Sequence, residues 1–323
     1  MRTSVILSSY NGEKYIEEQL YSLLNQSEEI DEVIVIDDCS CDSTTTIVEN
    51  FIKKNNCKRW KLIINKKNKG WKASFITGLE LATGDILFPC DQDDVWHHDK
   101  IEVMKKIMQN NEKILLLEGK PHRFYDEESS KAEENQSLRV KVGTFLDKIS
   151  NKKKKVKNTG EICKKNFDDD FLKRAPGCCL AIRKDYFDSI SKYWFDEMPH
   201  DALITYMPNL IDGYYEMDYE VIEWRQHAGS ASRPTERNKK NRIKEIELDE
   251  KMILTMLVYA RDNRIKLEYK DELYKALKWN RYRMELVKND RVWYAILILK
   301  YRKFYLQFRR YFTDIKYGLE KKK

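Results

Sequence analysis

The chain has 323 residues, of which 41% are hydrophobic and 35% are charged, and its formal net charge is +7. These proportions exclude wholesale disorder and a polytopic membrane protein, because apolar side chains suffice for a core while the surface stays strongly solvated. No run of about 18 apolar residues occurs, so we expect no membrane-spanning helix. The length fits one large α/β domain with an appendage or two modest domains.

The amino terminus and the cysteines both predict an intracellular protein. Residues 1–3 run directly into the apolar alternation Ser4–Leu7, which leaves no room for a signal peptide. The seven cysteines are odd in number and form no CxxC pair. This pattern is typical of reduced and mostly buried thiols rather than of a disulfide framework or a zinc finger. We therefore predict a cytoplasmic location.

The N-terminal third alternates short β-rich runs with segments of helical periodicity. The predicted strands are Ser4–Ser9, Glu32–Ile36, Trp60–Ile64 and Asp85–Pro89, and the predicted helices are Lys14–Leu24, Asp42–Lys54 and Ala73–Ala82. This β-α-β-α order predicts a parallel sheet with helices on both faces. Because such sheets bind ligands at the carboxyl ends of their strands, we expect a nucleotide there.

Beyond this third the pattern changes. From Gly119 to Arg174 the sequence is rich in charge and poor in apolar runs, which predicts a long and partly mobile excursion. Ordered structure is expected to resume in the apolar stretch Ala175–Ile182, which a Pro-Gly turn opens, and in a strand over Tyr215–Trp224. From Pro234 onward the pattern is helical.

Three carboxylates follow the last strand of the N-terminal third, at Asp91, Asp93 and Asp94. Carboxylates packed this closely repel one another unless a cation neutralises them, and oxygen ligands suit Mg²⁺ or Mn²⁺ bound together with substrate phosphates. The alternative is helix capping, in which Asp94 or Asp99 begins the helix predicted near Lys100. For Asp91 and Asp93 together we favour a metal–diphosphate site.

Three motifs stand in order along the chain: SVILSSYNGE at 4–13, VIDDCSCDST at 35–44 and DQD at 91–93. Together with the glycine-containing segments 68–70 and 78–84, they resemble family 2 glycosyltransferases of the GT-A fold. The similarity is to bacterial rhamnosyltransferase-like, polysaccharide-assembling members. It implies a single-sheet α/β/α domain with a C-terminal helical extension.

The resemblance also implies a domain organisation and a reaction. A GT-A domain is expected at 1–233, with a nucleotide-binding half at 1–118 and an acceptor and catalytic half at 119–233, followed by a helical region at 234–323. The implied reaction is an inverting transfer from a UDP- or dTDP-sugar to a hydroxyl of a glycan or lipid-linked acceptor in cell-surface polysaccharide synthesis. Its implied cofactor is Mn²⁺ or Mg²⁺.

Nucleotide contacts are implied for nine side chains: Ser8, Ser9, Tyr10, Asn11, Glu13, Asp37, Asp38, Asp91 and Arg225. Tyr10 would stack on the base, and ordinary packing of its ring is the alternative. Asp38 resembles the family aspartate that hydrogen-bonds the base, and Asp37 either shares that role or caps the next turn. Asp91 would face the ribose. Ser8-Ser9 replaces the family's Pro-Thr, which leaves open which serine contacts the nucleotide.

Metal contacts are implied for Asp93, as the direct ligand, and for Asp91 and His227. His227 ends Trp224-Arg225-Gln226-His227, which resembles the family's Tyr-Arg-x-His segment with tryptophan in place of tyrosine. Without that placement, a lone histidine is more often a packing or surface residue. Arg225 either steadies the diphosphate or forms a structural salt bridge.

A catalytic pair is implied at His200-Asp201, where the family usually has Glu-Asp. Asp201 is our candidate base, which would take the proton of the acceptor hydroxyl as its oxygen attacks C1. His200 is the rival, because the ordinary pKa of histidine suits proton transfer near neutral pH. The structural alternative for Asp201 is a helix N-cap.

Two other classes of function are alternatives: a nucleotidyltransferase-like nucleotide-sugar enzyme and a non-enzymatic basic binding module. The first β-rich run is followed by neither GxGxxG nor a Walker A loop, which disfavours dinucleotide-binding and P-loop proteins. Basic residues concentrate at Lys152–Lys155 and beyond Lys300, outside the predicted α/β core and without a nucleic-acid-binding motif. We therefore expect no nucleic-acid partner.

The segment 291–323 combines apolar and aromatic residues with Lys and Arg. Such a helix can lie in the interface of the cytoplasmic membrane face. The alternative is a helix that packs its apolar side on the domain and turns its cations outward. We favour peripheral membrane contact, because lipid-linked acceptors are common in the family that the chain resembles.

Overall fold

The computed structural model describes residues 1–125, 159–167, 171–227 and 238–320. These residues form two compact units. The first takes the described parts of 1–163, 177–185 and 215–233, and the second takes those of 164–176, 186–214 and 234–323. The second unit thus includes two segments that precede the expected boundary at 233, and that boundary itself lies outside the described residues. The division into 1–233 and 234–323 stays a prediction.

A mixed sheet of nine strands runs through the described residues in the order β3-β2-β1-β4-β8-β6-β9-β5, with β7 beside β9. Its strands are β1 Thr3–Ser9, β2 Glu32–Asp37, β3 Trp60–Ile64, β4 Ile86–Asp91, β5 Val95–Trp96, β6 Leu116–Tyr125, β7 Ile162–Lys164, β8 Leu180–Arg183 and β9 Tyr214–Gln226. The first four are parallel, whereas β8 runs antiparallel to β4 and β6, and β5 runs antiparallel to β9.

Helices cover both faces of the parallel part, as the continuously apolar strands require. These helices are α1 Ile16–Leu24, α2 Thr44–Lys54, α3 Trp71–Leu81 and α4 Lys100–Asn110. Val5 and Leu7 share a buried core cluster with α1, α2 and α4. On the other face α3 approaches so closely that a Cβ at Gly78 would lie 2.4 Å from Cγ2 of Ile6. The predicted single-sheet α/β/α architecture is confirmed.

The expected excursion from 119 to 174 is wrong at its beginning, because residues 119–125 continue strand β6. Side chains of this strand pair across to β9, as in the ion pair Lys120–Glu216 and the contact between His122 and Glu220. Within the predicted stretch Ala175–Ile182, a 3₁₀ turn at 177–179 precedes β8. The run Lys152–Lys155 lies outside the described residues.

The second unit is helical. Its helices are α5 Lys184–Ile190, α6 His200–Asn209, α7 Lys239–Asp262, α8 Leu267–Val287, α9 Tyr294–Leu299 and α10 Arg309–Leu319. The first two residues of α5 belong to the first unit. The predicted C-terminal helical region is confirmed, although 291–320 forms two short helices with a 3₁₀ turn between them rather than one. No helix in the described ranges is both long and apolar enough to cross a membrane.

Candidate active site

The carboxyl ends of β1, β2 and β4 lie side by side at one edge of the sheet. In the parallel ladders Ser9 is level with Asp37, and Ser8 is level with Asp91. Four side chains predicted to bind a nucleotide therefore meet at this edge, where open α/β sheets bind ligands. The next residue, Tyr10, is 45% exposed, so its ring is not part of the core.

The turn after β1 is tied to the loop after β2. Asn11 adopts a positive φ of 46°, and its backbone N–H donates to Ser40 Oγ at 2.9 Å. The Ser40 hydroxyl in turn donates to the buried Asp37 carboxylate at 2.6 Å, and Glu13 accepts from Ser43 N–H at 2.9 Å. Asp37 therefore stabilises the following turn, one of its two predicted roles, and Asn11 and Glu13 hold the two loops together.

Asp38 is 1% exposed and is bound by the segment that leads into α3. Its Oδ1 accepts from Asn65 Nδ2 and from Lys69 N–H, both at 2.9 Å, and its Oδ2 accepts from Gly70 N–H at 2.7 Å. Gly70 immediately precedes α3, so this carboxylate lies at the amino-terminal end of a helix, where negative charge is favourable. Asp38 thus anchors α3 in addition to any contact with a base.

The carboxylates after β4 form two groups with possible metal ligands. In the first, the ligand atoms of Asp91, Asp94 and Cys178 all lie within 4.8 Å of one another. In the second, His227 Nε2 lies 2.6 Å from Asp93 Oδ2. The structure therefore joins Asp93 to His227, both predicted as ligands, and adds Asp94 and Cys178 beside Asp91. Carboxylate, imidazole and thiolate groups all bind divalent metals, with carboxylates favouring Mg²⁺ and Mn²⁺.

Asp94 is 1% exposed, and its Oδ1 accepts from Arg225 N–H at 3.1 Å. Its Oδ2 has no hydrogen-bond partner within the described parts of the chain. Burial, and then the negative charges of Asp91 and Asp93, raise the pKa of Asp94 well above its ordinary value. A divalent cation would relieve this repulsion and satisfy the orphaned oxygen, so the residues fit a metal ion. The capping role proposed for Asp94 is wrong, because its partner is strand β9.

Helix α4 begins beside this cluster with a buried lysine. Asp99 is the N-cap residue, but its side chain makes no capping bond and instead accepts from Tyr219 OH at 2.5 Å. Lys100 is fully buried, donates from Nζ to the Cys178 carbonyl at 2.6 Å and lies 3.3 Å from the centroid of the Trp96 ring. Burial lowers the pKa of Lys100 to about 8, while nearby acidic groups act in the opposite direction.

Arg225, near the end of β9, makes structural contacts with its guanidinium group. Nε donates to the Asp93 carbonyl at 2.9 Å, and Nη2 forms an ion pair with Glu18. The group also lies 4.8 Å from the ring centroid of Tyr15 and 4.6 Å from that of Phe124. The structural salt bridge that the sequence left open is therefore present, and it fixes the backbone that carries Asp93.

The predicted catalytic pair begins helix α6 in the second unit. Pro199 is the N-cap residue and Asp201 lies within the first turn, so the N-cap interpretation of Asp201 is wrong. Arg174 Nη1 lies 3.3 Å from Asp201 Oδ1. His200 is 3% exposed, and burial lowers its pKa to about 4, although the Asp201 charge acts in the opposite direction.

Gln92, Cys178 and Arg174 contact the candidate residues but were not predicted to do so. The Gln92 amide, for example, bonds the backbone of Tyr10, which lies 82 positions away along the chain. No local pattern signals such a partner, because the contact exists only once the strands are assembled. The register of β1 against β4 is the one signal that could have suggested it.

The sequence model of glycosyl transferase family 2 matches residues 4–190, more than half of the chain. The chain belongs to this family. The putative teichuronic acid biosynthesis glycosyltransferase TuaG of Bacillus subtilis is 36% identical over 146 residues, 45% of this chain and 51% of the relative. An uncharacterized glycosyltransferase of Haemophilus influenzae is 38% identical over 112 residues, 35% of this chain and 44% of the relative. The chain thus matches about half the length of these relatives.

The similarity to solved structures extends over nearly the whole chain. TarS 1–349 of Staphylococcus aureus, solved in complex with UDP-GlcNAc, has a TM-score of 0.63 at 16% identity and covers 98% of this chain and 90% of its own. The mannosyltransferase PcManGT of Pyrobaculum calidifontis, solved with GDP-Man and Mn²⁺, has a TM-score of 0.52 at 16% identity, covering 98% and 84%. These similarities establish the predicted GT-A fold.

Proposed function

We propose that the chain is a metal-dependent, inverting glycosyltransferase that moves a sugar from a UDP- or dTDP-linked donor to a hydroxyl of a glycan or lipid-linked acceptor in cell-surface polysaccharide synthesis. One observation carries the proposal. An exposed tyrosine, the ends of β1 and β2, and a carboxylate cluster with an orphaned oxygen meet at one sheet edge. Such an edge suits a nucleotide whose diphosphate is bound through a cation. Family membership and wall-polysaccharide relatives such as TuaG support the same class.

The donor would bind along this edge. Tyr10 would stack on the base, and Asp91, Asp93 and His227 would hold a divalent cation, with Asp94 as an additional candidate ligand. A bound Mn²⁺ or Mg²⁺ supplies Lewis-acid stabilisation of the charge on the departing nucleoside diphosphate. Arg225 contributes indirectly, because it orders the backbone of Asp93.

On the acceptor side, Asp201 takes the proton of the acceptor hydroxyl. The hydroxyl oxygen forms the new bond to the anomeric carbon as the bond from that carbon to the diphosphate oxygen breaks on the opposite face. This single displacement inverts the configuration and needs no covalent enzyme intermediate. His200 suits the role less well, because it is enclosed and its pKa of about 4 makes it a weak base.

The donor part is tested by thermal shift of the full chain against UDP, dTDP, GDP and CMP, with and without Mn²⁺. A ligand that binds only the folded state raises the melting temperature. We expect one nucleoside diphosphate to stabilise the protein only with metal, and Asp93→Ala to abolish that shift. Stabilisation by no nucleotide under any metal condition would refute the proposal. Release of pyrophosphate from a nucleoside triphosphate and a sugar phosphate, rather than of a nucleoside diphosphate from a nucleotide sugar, would favour the nucleotidyltransferase-like alternative.

The base is tested by Asp201→Asn. We expect kcat to fall by about 10²–10⁴-fold with little change in the donor KM, because general-base catalysis typically contributes that much. Asp196→Asn is the matched control, since Asp196 is an exposed aspartate of the same unit. An Asp201→Asn variant as active as the control would assign the role to another group, and His200→Gln would then be measured.

We also propose that the chain works at the cytoplasmic membrane face, through peripheral contact of the segment 291–323 with lipid. In its described part, Ile298 and Phe304 are buried, so the segment packs on its own unit. Other apolar side chains stay exposed, with Trp293 at 57%, Ile296 at 74% and Phe312 at 60%. The segment therefore packs one part of its apolar side chains and exposes another. The exposed Lys300 and Arg302 add positive charge, which anionic lipid attracts.

A further inference from the structure

Gln92, the middle residue of the DQD motif, binds the backbone of the turn after β1. Its Oε1 accepts from Tyr10 N–H at 2.8 Å, and its Nε2 donates to the Tyr10 carbonyl at 3.2 Å. Ser8 and Asp91 are the last paired residues of the ladder between strands β1 and β4. The side-chain amide of Gln92 therefore continues the hydrogen bonding of these two strands beyond the last backbone pair.

The turn is shaped to admit this amide. A Cβ at Gly12 would lie 2.2 Å from Gln92 Oε1 and 2.6 Å from its Cδ, so position 12 accommodates no side chain while Gln92 is in place. Glycine is needed here for close approach. Gly12 N–H also donates to Thr44 Oγ1 at 2.8 Å, which restrains the turn from moving away from Gln92.

The same turn is bound to the loop after β2. Asn11 N–H donates to Ser40 Oγ at 2.9 Å, and Asn11 Oδ1 accepts from Cys41 N–H at 2.8 Å. One amide therefore connects the loop that carries the metal-binding carboxylates to both loops on the base side of the site.

We propose that Gln92 is a positioning residue that couples the metal-binding carboxylates Asp91 and Asp93 to the base-stacking Tyr10. This inference rests on the proposed function, in which a nucleoside diphosphate spans both: its base stacks on Tyr10 and its phosphates lie at the cation. By fixing the separation of the two ends, Gln92 preorganises the site, so that binding at one end does not require rearrangement at the other.

The test is Gln92→Met, which keeps the length of the side chain and removes both hydrogen bonds. In titration calorimetry of the full chain with UDP and Mn²⁺, or with dTDP or GDP if that nucleotide gives the larger thermal shift, we expect affinity to fall about tenfold, which corresponds to roughly 1.4 kcal/mol. The donor KM should rise similarly, with kcat little changed.

Gln26→Met is the matched control. Gln26 Nε2 donates to the His97 carbonyl at 2.9 Å, and its Oε1 accepts from Ile101 N–H at 3.1 Å, so this amide also joins two backbone segments. Its loss should lower the melting temperature and leave nucleotide affinity unchanged. A purely structural role for Gln92 would give the same result.

A double-mutant cycle with Tyr10→Ala shows whether Gln92 acts through Tyr10. In the Tyr10→Ala background, Gln92→Met should cause little further loss of affinity, because the ring that it positions is gone. A full tenfold loss in that background, or wild-type affinity in Gln92→Met alone, overturns the inference. If Gln92→Met does not fold, Gln92→Asn, whose shorter amide adds no charge beside Asp91 and Asp93, is measured by the same criteria. Failure of the wild type to bind any nucleotide would instead refute the proposed function, and the inference with it.

Discussion

Asp38 accepts three hydrogen bonds from Asn65, Lys69 and Gly70, all in the segment before α3. Asparagine at this position would turn one acceptor into a donor that faces another donor. We expect Asp38→Asn to lower the free energy of unfolding by about 1–3 kcal/mol, measured by urea denaturation without nucleotide.

The control for this prediction is Asp196→Asn, because Asp196 is exposed. A surface change of this kind should stay within about 0.5 kcal/mol of the wild type. If Asp38→Asn is equally mild, then the three bonds contribute little and the carboxylate is kept for ligand binding alone.

His200 makes the stability of the protein depend on pH. Burial lowers its pKa from 6.5 to about 4, so the unfolded chain binds a proton at a higher pH than the folded chain does. The contribution of the neutral ring is therefore fully present above about pH 6.5 and is lost as the pH falls towards 4. Between pH 7.5 and pH 5 we expect a loss of about 2 kcal/mol from this residue.

Urea unfolding at both pH values, on the wild type and on His200→Gln, measures this loss. Other groups titrate in both proteins, so the difference between them isolates residue 200. The wild type should lose about 2 kcal/mol more than the variant. Equal losses would mean that folding does not lower the pKa of His200.

Among the helices, α10 is held by a buried carboxylate. Asp314 is fully buried and accepts from Arg242 Nε, from Arg283 Nε at 3.0 Å and from Tyr305 OH at 2.6 Å. Burial raises the pKa of Asp314, but the two guanidinium groups and these hydrogen bonds outweigh it and lower the pKa. Asp314→Ala removes the buried carboxylate that both guanidinium groups share and leaves them only their partners nearer the surface, Glu245 and Asp249. We expect it to destabilise the fold by about 3–5 kcal/mol in urea or thermal unfolding.

An exposed ion pair of the same helical unit provides the comparison. Lys288 pairs with Glu247 at 2.9 Å, and their side chains are 51% and 45% exposed. Lys288→Ala should cost less than about 1 kcal/mol, because water screens such pairs. Similar costs for the two variants would contradict the claim that the Asp314 network holds α10.

The elements of the N-terminal third were predictable because their signals are local. The predicted strand Trp60–Ile64 coincides with β3, and the predicted helix Asp42–Lys54 differs from α2 only at its start. Each depends on the spacing of its own apolar residues. Strand β6 gave no such local signal. Its charged residue Lys120 forms an ion pair with a side chain of β9, which is distant in sequence.

The residues of the candidate site divide in the same way, into those that local sequence patterns predict and those that depend on partners distant in sequence. The ends of β1, β2 and β4, with the serines and aspartates that they carry, followed from the strand pattern and the motifs. The role of Asp94 did not, because its partner Arg225 N–H is 131 positions away and a nearby predicted helix suggested a cap instead. A short motif identifies which carboxylates are present, whereas the assembled sheet decides which of them are buried.

For the molecule as a whole, the exposed apolar residues of 291–320 predict membrane binding. Wild-type protein should float with vesicles containing phosphatidylglycerol and less with pure phosphatidylcholine, because exposed cations strengthen binding to anionic lipid. Combined Trp293→Ser, Ile296→Ser and Phe312→Ser changes should reduce flotation more than about tenfold, since each removes apolar area that enters the interface.

The control is Leu267→Ser, which changes a side chain that is 74% exposed but lies outside this segment. It should float as the wild type does. Equal flotation of the triple variant and the wild type, or no flotation of either, would refute membrane contact through 291–320.

Strand β8 is synthesised well after β4, its neighbour in the sheet, and this order affects folding during synthesis. Strand β4 lies inside the sheet, yet its partner opposite Ile86 is Arg183, near the end of β8. While the ribosome adds the residues between them, β4 carries an uncovered row of backbone donors and acceptors, the kind of edge that joins other chains. A nascent or truncated chain ending near residue 118 should therefore need a chaperone or aggregate, and only chains that reach β8 should become soluble.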